Sequence, residues 1–198
     1  MTVADVWIIG SSIIYWAEQR ARVRLDTNLR LENTSITWLS RRGMRRCEAV
    51  PLLLRRLEQS RKIPDMIVIH CGGNSLVEVR LGYLAKAIKD DIGNLSKKLH
   101  FLCTIIWSDM LPRLTWRGAI AKSVIEIKRR NLNRCGRRAV LKAGGRVIEH
   151  PEITEDTAGL FRDGVHLSDI GSDILLCNLQ YVINACRFES ADTPVIFE

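Results

Sequence analysis

The chain has 198 residues, of which 46% are hydrophobic and 26% are charged. These values are typical of one soluble globular domain that buries a core without help from a metal or disulfides. No apolar run has the length that a bilayer requires, and the first residues lack the basic stretch of a signal peptide. We therefore expect an intracellular protein, in the cytoplasm or nucleus, with one domain over residues 1–186 and a loose tail over residues 187–198.

The net charge of +8 is the one unusual bulk property, and arginine supplies most of the positive charge. Arginine suits bidentate contacts to phosphate, so a nucleic acid or an anionic membrane surface is one candidate partner. The alternative is a solvated basic surface that aids solubility. We favour this alternative because no aromatic residues interleave the basic runs, as a stacking surface for nucleic acid would require. The runs cover residues 41–46, 55–56, 128–130 and 137–138.

The six cysteines suit a reducing compartment. None is paired at the two-residue spacing of zinc or thioredoxin-type sites, so the sequence predicts no metal centre of that kind. Cys71 and Cys103 lie in apolar runs and are expected to be buried as small hydrophobic residues. We expect no structural disulfide.

Five apolar segments indicate β-strands, and a helical segment follows each of them. Near-continuous apolar runs are typical of parallel strands that are covered on both faces. The predicted strands are residues 5–10, 35–39, 66–71, 101–107 and 146–149. The predicted helices are residues 12–22, 47–61, 79–99, 116–143 and a last helix that runs from a Ser168 N-cap to about residue 186.

This alternation predicts a three-layer α/β/α sandwich around a five-stranded parallel sheet with right-handed crossovers. The expected strand order is 2-1-3-4-5, as in the flavodoxin-like fold. Apolar spacing predicts one face on each of the last two helices. The residues on these faces are Ile120, Val124 and Ile127 on the fourth helix, and Ile170, Ile174, Leu175 and Leu179 on the last.

Polar residues that follow the predicted strands are candidates for an active site, because ligands of such sheets bind at the carboxyl ends of the strands. Ser12 follows the first strand at the start of a helix, whose amides can stabilise an oxyanion. Gly43 follows the second strand and lets a backbone N–H approach a ligand. Asn74 follows the third strand and can donate a side-chain hydrogen bond to negative charge. Taken alone, each is more typical of an N-cap or a plain turn.

Asp163 and His166 precede the last helix. A carboxylate three residues before a histidine can reach the ring within one loop and fix its tautomer, and of the four histidines only His166 has an acid there. His70 lies in an apolar strand and is expected in the core, whereas His100 and His150 are expected at the surface. A nucleophile, two oxyanion donors, an acid and a base in this order predict a serine hydrolase.

These residues resemble the four motifs of the SGNH (GDSL-like) hydrolase family, over residues 6–179. Gly10-Ser11-Ser12-Ile13 is similar to the Gly-Asp-Ser-Leu block, and Gly43 to the glycine of the second block. Gly72-Gly73-Asn74-Ser75 is similar to the Gly-x-Asn-Asp block, and Asp163-Gly164-Val165-His166 to the Asp-x-x-His block.

The resemblance implies the SGNH hydrolase fold and a triad of Ser12, His166 and Asp163. It also implies an oxyanion hole formed by the backbone amides of Ser12 and Gly43 with the Asn74 side chain. The implied activity is hydrolysis of a small ester or lipid-like substrate by a serine esterase, with neither a metal nor an organic cofactor. The α/β-hydrolase alternative is disfavoured by Ile14, where that fold's nucleophile elbow requires glycine.

Residues 6–14 and 160–168 are similar to one branch of the family, the hydrolase-like proteins of vertebrate retrotransposons. Retroelement proteins commonly act within nucleoprotein particles, so the rival function is a nucleic-acid-binding module that kept the fold and lost turnover. Ser11 and Ser75 add weight to this rival, because the family usually has aspartate at both positions.

Overall fold

Five parallel strands form one sheet in the order β2-β1-β3-β4-β5, which confirms the predicted order. The computed structural model describes residues 3–24, 26–60, 62–100, 102–157 and 159–188. All of β3 and the last five residues of β1 are buried, which explains the continuous apolar runs. The strands are β1 Ala4–Gly10, β2 Thr34–Ser40, β3 Met66–His70, β4 Thr104–Ser108 and β5 Arg146–Ile148.

Helices cover both faces of the sheet and complete the predicted three-layer α/β/α sandwich. The helices are α1 Ser12–Arg24, α2 Arg46–Ser60, α3 Leu81–Lys98, α4 Lys122–Lys142 and α5 Asp169–Phe188. One apolar core lies between the sheet and the pair α1 and α5, and a second lies between the sheet and α2, α3 and α4.

An ion pair joins α1 to α5, the two helices that flank the candidate site. The Arg20 guanidinium donates to both carboxylate oxygens of Asp173, at 2.8 and 2.9 Å, which is the bidentate geometry of a strong charge-assisted pair. At the start of α5 the Ser168 hydroxyl accepts a hydrogen bond from the Gly171 amide at 3.2 Å, as expected of the predicted N-cap. The Arg20 ion pair therefore holds the start of α5 against α1.

The predicted apolar face of the fourth helix is wrong. Ile120, Val124 and Ile127 are 106%, 55% and 51% exposed, and α4 begins only at Lys122. The buried face instead carries Gly136, which lies against the indole of Trp107. The sheet therefore selects the face of α4 that lets this large ring approach the helix backbone. The buried apolar residues of α4 are Ile125, Leu132 and Val140.

Two further predictions need correction at their edges. On α5, Leu175 and Leu179 are buried as predicted and Ile174 is partly buried, but Ile170 is 64% exposed. The buried face of the first turn instead carries Gly171 and Ser172. The fourth strand begins at Thr104, and Leu102 before it is exposed. Arg61, Phe101 and residues 189–198 of the predicted tail lie outside the described residues.

The described residues contain six free cysteines and no helix with the length and hydropathy to span a membrane. Cys71 and Cys103 are buried, as predicted from their apolar surroundings. Burial raises the pKa of both thiols to about 12, so neither is a reactive thiolate at neutral pH.

Candidate active site

The carboxyl ends of β1, β2 and β3 lie side by side, so the loops that follow them share one edge of the sheet. Gly10, the last residue of β1, pairs in register with Ser40 and with His70. A Cβ atom on Gly10 would lie 2.8 Å from the His70 carbonyl oxygen, so only glycine fits there. The Arg41 amide also donates to the Gly10 carbonyl at 3.2 Å. This packing places the residue that begins α1, Ser12, beside the loops after β2 and β3.

Ser12, His166 and Asp163 form a hydrogen-bonded series, although 154 residues separate the first two. Ser12 Oγ lies 3.1 Å from His166 Nε2, and His166 Nδ1 lies 2.7 Å from Asp163 Oδ2. An ionised Asp163 requires the proton of the neutral imidazole on Nδ1, which leaves Nε2 to accept the proton of the serine. The structure thus brings together the three residues that the sequence predicts as nucleophile, base and acid.

The Asp163 carboxylate is held by its own loop. Its Oδ1 accepts hydrogen bonds from the amides of Val165 at 3.0 Å and His166 at 2.7 Å, which leaves Oδ2 for the imidazole. Gly164 has a φ of 79°, a conformation that favours glycine, and its carbonyl accepts from the Thr115 amide at 3.0 Å. Burial opposes the charge, but the hydrogen bonds from the ring and the two amides outweigh it and hold the pKa of Asp163 well below its usual value. The carboxylate is therefore ionised at neutral pH.

The loops that carry Gly43 and Asn74 contact each other next to Ser12. Asn74 Nδ2 donates to the Met44 carbonyl at 3.1 Å, which ties the loop after β3 to the loop after β2. Gly43 has a φ of 73°, and within the described part of the chain its amide donates no hydrogen bond. The amide of Ser12 is also unused within α1, because the first residues of a helix have no intrahelical acceptor. Two backbone amides and one side-chain N–H thus remain available at this edge.

Arg113 is a site residue that the sequence analysis did not identify. Its Nη2 donates to Asn74 Oδ1 at 2.9 Å, and its guanidinium lies over the Trp116 ring, 4.6 Å from the centroid. Burial lowers the pKa of Arg113 to about 10, while Glu126 and Asp163 oppose that shift. The guanidinium therefore keeps its charge at neutral pH. The only sequence signal was a lone arginine after Met110-Leu111-Pro112, in a loop without periodicity.

Ser11 and Ser75, which replace the two family aspartates, are both buried. The Ser75 hydroxyl accepts a long hydrogen bond from the Arg46 amide at 3.4 Å, so it links the loop after β3 to the start of α2. Ser11 lines a void of about 10 Å³ together with Gly73 and Arg113, which is room for about one water molecule. Ser75 therefore supports the site through this link, and Ser11 borders the void next to Arg113.

A second serine–histidine contact is buried in the core. Ser108 Oγ lies 2.9 Å from His70 Nδ1 and 2.9 Å from His150 Nε2, and Ser108 has 0% exposure. His70 is in the core as predicted, but the prediction that His150 lies at the surface is wrong, because the residue is 8% exposed. His150 follows β5 and turns inward, since Ser108 at the end of β4 offers a buried polar partner. A hydroxyl with no exposure cannot meet an ester, so this contact is structural.

The bonds of Asn178 fix the protons of this buried series. Asn178 Nδ2 donates to Glu152 Oε2 at 3.2 Å and lies 3.1 Å from His150 Nδ1, which must then accept. His150 Nε2–H consequently donates to Ser108, and the Ser108 hydroxyl donates to His70 Nδ1. Both imidazoles are neutral in this pattern. Burial, with a nearby arginine in each case, lowers the pKa of His70 to about 4 and that of His150 to about 3.

The candidate triad lines none of the three large cavities among the described residues. The cavities of about 580, 780 and 920 Å³ are all lined by residues other than Ser12, Asp163 and His166. The side chain of His166 is 23% exposed, and Ser12 is 7% exposed. The hydroxyl and the imidazole therefore meet beneath a surface that solvent reaches from the imidazole side.

The arginine runs are only partly neutralised by acidic partners. In the run after β2, Arg41, Arg45 and Arg46 form ion pairs with Glu48, Glu78 and Asp91. In α4, Arg129 pairs with Glu126, and Arg137 pairs with Asp109 and Glu149. The remaining arginines of residues 41–46 and of α4 are exposed and have no acidic partner among the described residues. They are Arg42, Arg130, Arg134 and Arg138.

Solved structures with the same fold are lipases and acylhydrolases of the GDSL type. A GDSL-like lipase from Bacteroides thetaiotaomicron has a TM-score of 0.67 and 17% identity, over 92% of this chain and 88% of the lipase. A member of the lipolytic G-D-S-L family from Veillonella parvula has a TM-score of 0.65 and 17% identity, over 90% of this chain and 97% of that protein. A lipase/acylhydrolase from Enterococcus faecalis has a TM-score of 0.63 and 14% identity, over 92% of this chain and 96% of that protein.

No protein-family model and no curated protein sequence matches the chain. Identities of 14–17% establish the fold and leave the activity to be argued from the site. The chain has the fold of the GDSL (SGNH) hydrolases.

Proposed function

We propose that the protein is a serine esterase of the SGNH type, which hydrolyses a carboxylic ester through Ser12, His166 and Asp163. The observation that carries this proposal is the hydrogen-bonded series from the Ser12 hydroxyl through the imidazole to the carboxylate. Ser12 is also the first residue of α1, where the amides of the helix favour developing negative charge. The fold shared with lipases and acylhydrolases supports the same reaction class.

The reaction follows from the proton positions at this site. His166 Nε2 accepts the Ser12 proton while Oγ attacks the ester carbonyl, and Asp163 stabilises the imidazolium that results. The tetrahedral intermediate expels the alcohol, which takes the proton from His166. Water then attacks the acyl-serine while His166 takes its proton, and the imidazolium returns that proton to Ser12 Oγ as the carboxylic acid leaves.

The oxyanion of the tetrahedral intermediate is bound by three donors in this proposal. They are the amides of Ser12 and Gly43 and the second N–H of Asn74 Nδ2, whose first N–H is held by Met44. Loss of one such donor in a serine hydrolase costs about 3–4 kcal/mol of transition-state stabilisation. The contact from Arg113 to Asn74 Oδ1 orients the amide and increases its polarity.

The test compares two adjacent serines. We expect wild-type protein to hydrolyse a short-chain nitrophenyl ester and to be labelled at Ser12 by a fluorophosphonate probe. Ser12→Ala should abolish both, whereas Ser11→Ala, the matched control, should retain much of the turnover. Labelling that survives in Ser12→Ala, or loss of turnover only in Ser11→Ala, would refute the proposed nucleophile.

A nucleic-acid-binding function is the second candidate, and the exposed face of α4 favours it. Arg130, Arg134 and Arg138 lie one turn apart on that face, without acidic partners among the described residues. Arginines at this spacing project from one side of a helix and can contact successive phosphates. Resemblance to retrotransposon proteins and an intracellular location remain predictions on which this function depends.

The salt dependence of an α4 variant distinguishes nucleic-acid binding by α4 from the effect of the protein's overall positive charge. We expect wild-type protein to bind single-stranded RNA or duplex DNA with an affinity that falls steeply with salt. The triple variant R130A/R134A/R138A should weaken binding and reduce the slope of log affinity against log salt by about 3. An unchanged slope in the variant would exclude α4 as the binding surface.

A further inference from the structure

Two arginines are held beside the candidate nucleophile by one aromatic ring. Trp16 lies one turn after Ser12 on α1, and side chains of a helix lean over the preceding turn. The guanidinium carbon of Arg162 lies 4.8 Å from the centre of the Trp16 ring, and that of Arg42 lies 5.5 Å from it. Both charges are therefore near the turn that carries the hydroxyl.

Both arginines are also adjacent in sequence to residues of the proposed site. Arg162 directly precedes Asp163, and Arg42 directly precedes Gly43, so each belongs to a loop of the proposed site. The Arg162 amide also donates to the His166 carbonyl at 2.9 Å, which fixes the backbone of that loop. The guanidinium groups thus border the site from two different segments of the chain.

Neither arginine has an acidic partner among the described residues, although neighbouring arginines do. Arg41 pairs with Glu48 and Arg45 with Glu78, while Arg42 between them stacks on Trp16 instead. A guanidinium that lies over a ring uses its flat face for that contact and keeps the N–H groups of its edge for a ligand. The ring therefore reduces the freedom of both cations, and their edge donors have no acidic partner among the described residues.

We propose, on the basis of the esterase function above, that Arg42 and Arg162 recognise a phosphate group carried by the ester substrate. Two guanidinium groups can supply several edge donors, and a phosphate has the oxygens to accept them in bidentate geometry. The Cβ atoms of Ser12 and Trp16, one helical turn apart, are separated by about 6 Å. The proposal therefore places the phosphate a few bonds from the scissile carbonyl. Asp163 is the acidic group of the same loop, and its two oxygens are engaged by Val165 and His166.

Matched pairs of esters test this specificity. The soluble pair is an acetyl ester of glycerol phosphate and the same acetyl ester of glycerol. The lipid pair is phosphatidic acid and diacylglycerol, each in phosphatidylcholine vesicles. The measurement is the ratio of kcat/KM for the phosphate-bearing ester to that for its neutral partner. It is made in wild type, R42A/R162A and the control R55A.

We expect wild type to prefer the phosphate-bearing ester by about 10-fold at low ionic strength, and less at high salt where partly exposed charges are screened. R42A/R162A should lose that preference, whereas R55A, which removes an exposed arginine of α2, should keep it. A preference confined to the soluble pair identifies a soluble phosphate ester, and one confined to the lipid pair identifies a membrane lipid. A wild-type ratio near one in both pairs, or a ratio that survives in R42A/R162A, would overturn the inference.

The inference and the esterase function can fail separately. Fluorophosphonate labelling of Ser12 tests the nucleophile, and protection of Ser12 from the probe by glycerol phosphate tests the anion site. Labelling without protection refutes phosphate recognition and leaves the esterase standing. Absence of labelling and of turnover in wild type refutes both.

Discussion

Acidification from about pH 7 to about pH 5.5 should destabilise the fold through the two buried histidines that share Ser108. Burial lowers the pKa of His70 to about 4, helped by the charge of Arg113. Burial also lowers the pKa of His150 to about 3, helped by His70 and Arg137. The unfolded chain titrates both near its ordinary value of about 6.5, so in this interval the unfolded state binds protons that the native state excludes.

The direction and magnitude of the change in unfolding free energy follow from that difference in proton binding. Stability from the two histidines is fully present above about pH 6.5 and falls as the pH falls toward about 4. Each histidine contributes a loss of about 1.2 kcal/mol between about pH 7 and pH 5.5, which makes about 2.5 kcal/mol for the pair. This is a sizeable share of the 5–15 kcal/mol that stabilises a typical domain.

Urea unfolding at the two pH values measures the effect. The expected result is that His150→Gln, which removes one buried titrating group, shows a pH-dependent loss about 1.2 kcal/mol smaller than wild type. His100→Gln, at an exposed position, is the matched control and should show the full loss. If His150→Gln loses as much stability on acidification as wild type does, the buried histidine is not the source and the reasoning fails.

Three further variants test the site and the packing of the fold. Asp163→Asn should lower kcat by about 10⁴-fold with little change in fold, because the amide no longer fixes the His166 tautomer. Ester turnover measures the loss of kcat, and a thermal melt checks that the variant is folded. Arg113→Met should lower kcat on a neutral ester by about 10-fold with little change in KM, because the Asn74 side chain loses the hydrogen bond that orients it. A double-mutant cycle that shows no coupling between Arg113 and Asn74 would contradict this role. Gly136→Ala should destabilise by about 1–3 kcal/mol in urea unfolding, because its methyl overlaps a buried indole; a variant of wild-type stability would refute the packing argument.

Much of the fold could be predicted because its signals are local. Apolar runs of strand length alternate with helical segments, and this alternation alone predicts a parallel sheet with helices on both faces. The Ser168 cap involves an acceptor and a donor only three residues apart. The contact between Asp163 and His166 is local in the same way, since both lie in one four-residue turn.

Predictions failed where a distant segment decides which side chain is buried. The apolar spacing on α4 favoured the face of Ile120, Val124 and Ile127, whereas the Trp107 ring requires the face that carries Gly136. His150 was expected at the surface by its place after a short strand, but Ser108 offers it a buried partner 42 residues away. Periodicity within one segment holds no information about the shape of its neighbour.

The sequence by itself determined the order of the elements, the cap of the last helix and the turn that pairs a carboxylate with a histidine, because those interactions form within a few residues. Only the tertiary structure decided that the Ser12 hydroxyl meets the His166 ring, that Arg113 holds Asn74, and that Arg42 and Arg162 share Trp16. Those contacts join residues from different loops at one edge of the sheet. Their distances depend on how helices pack across the strands, which no local pattern encodes.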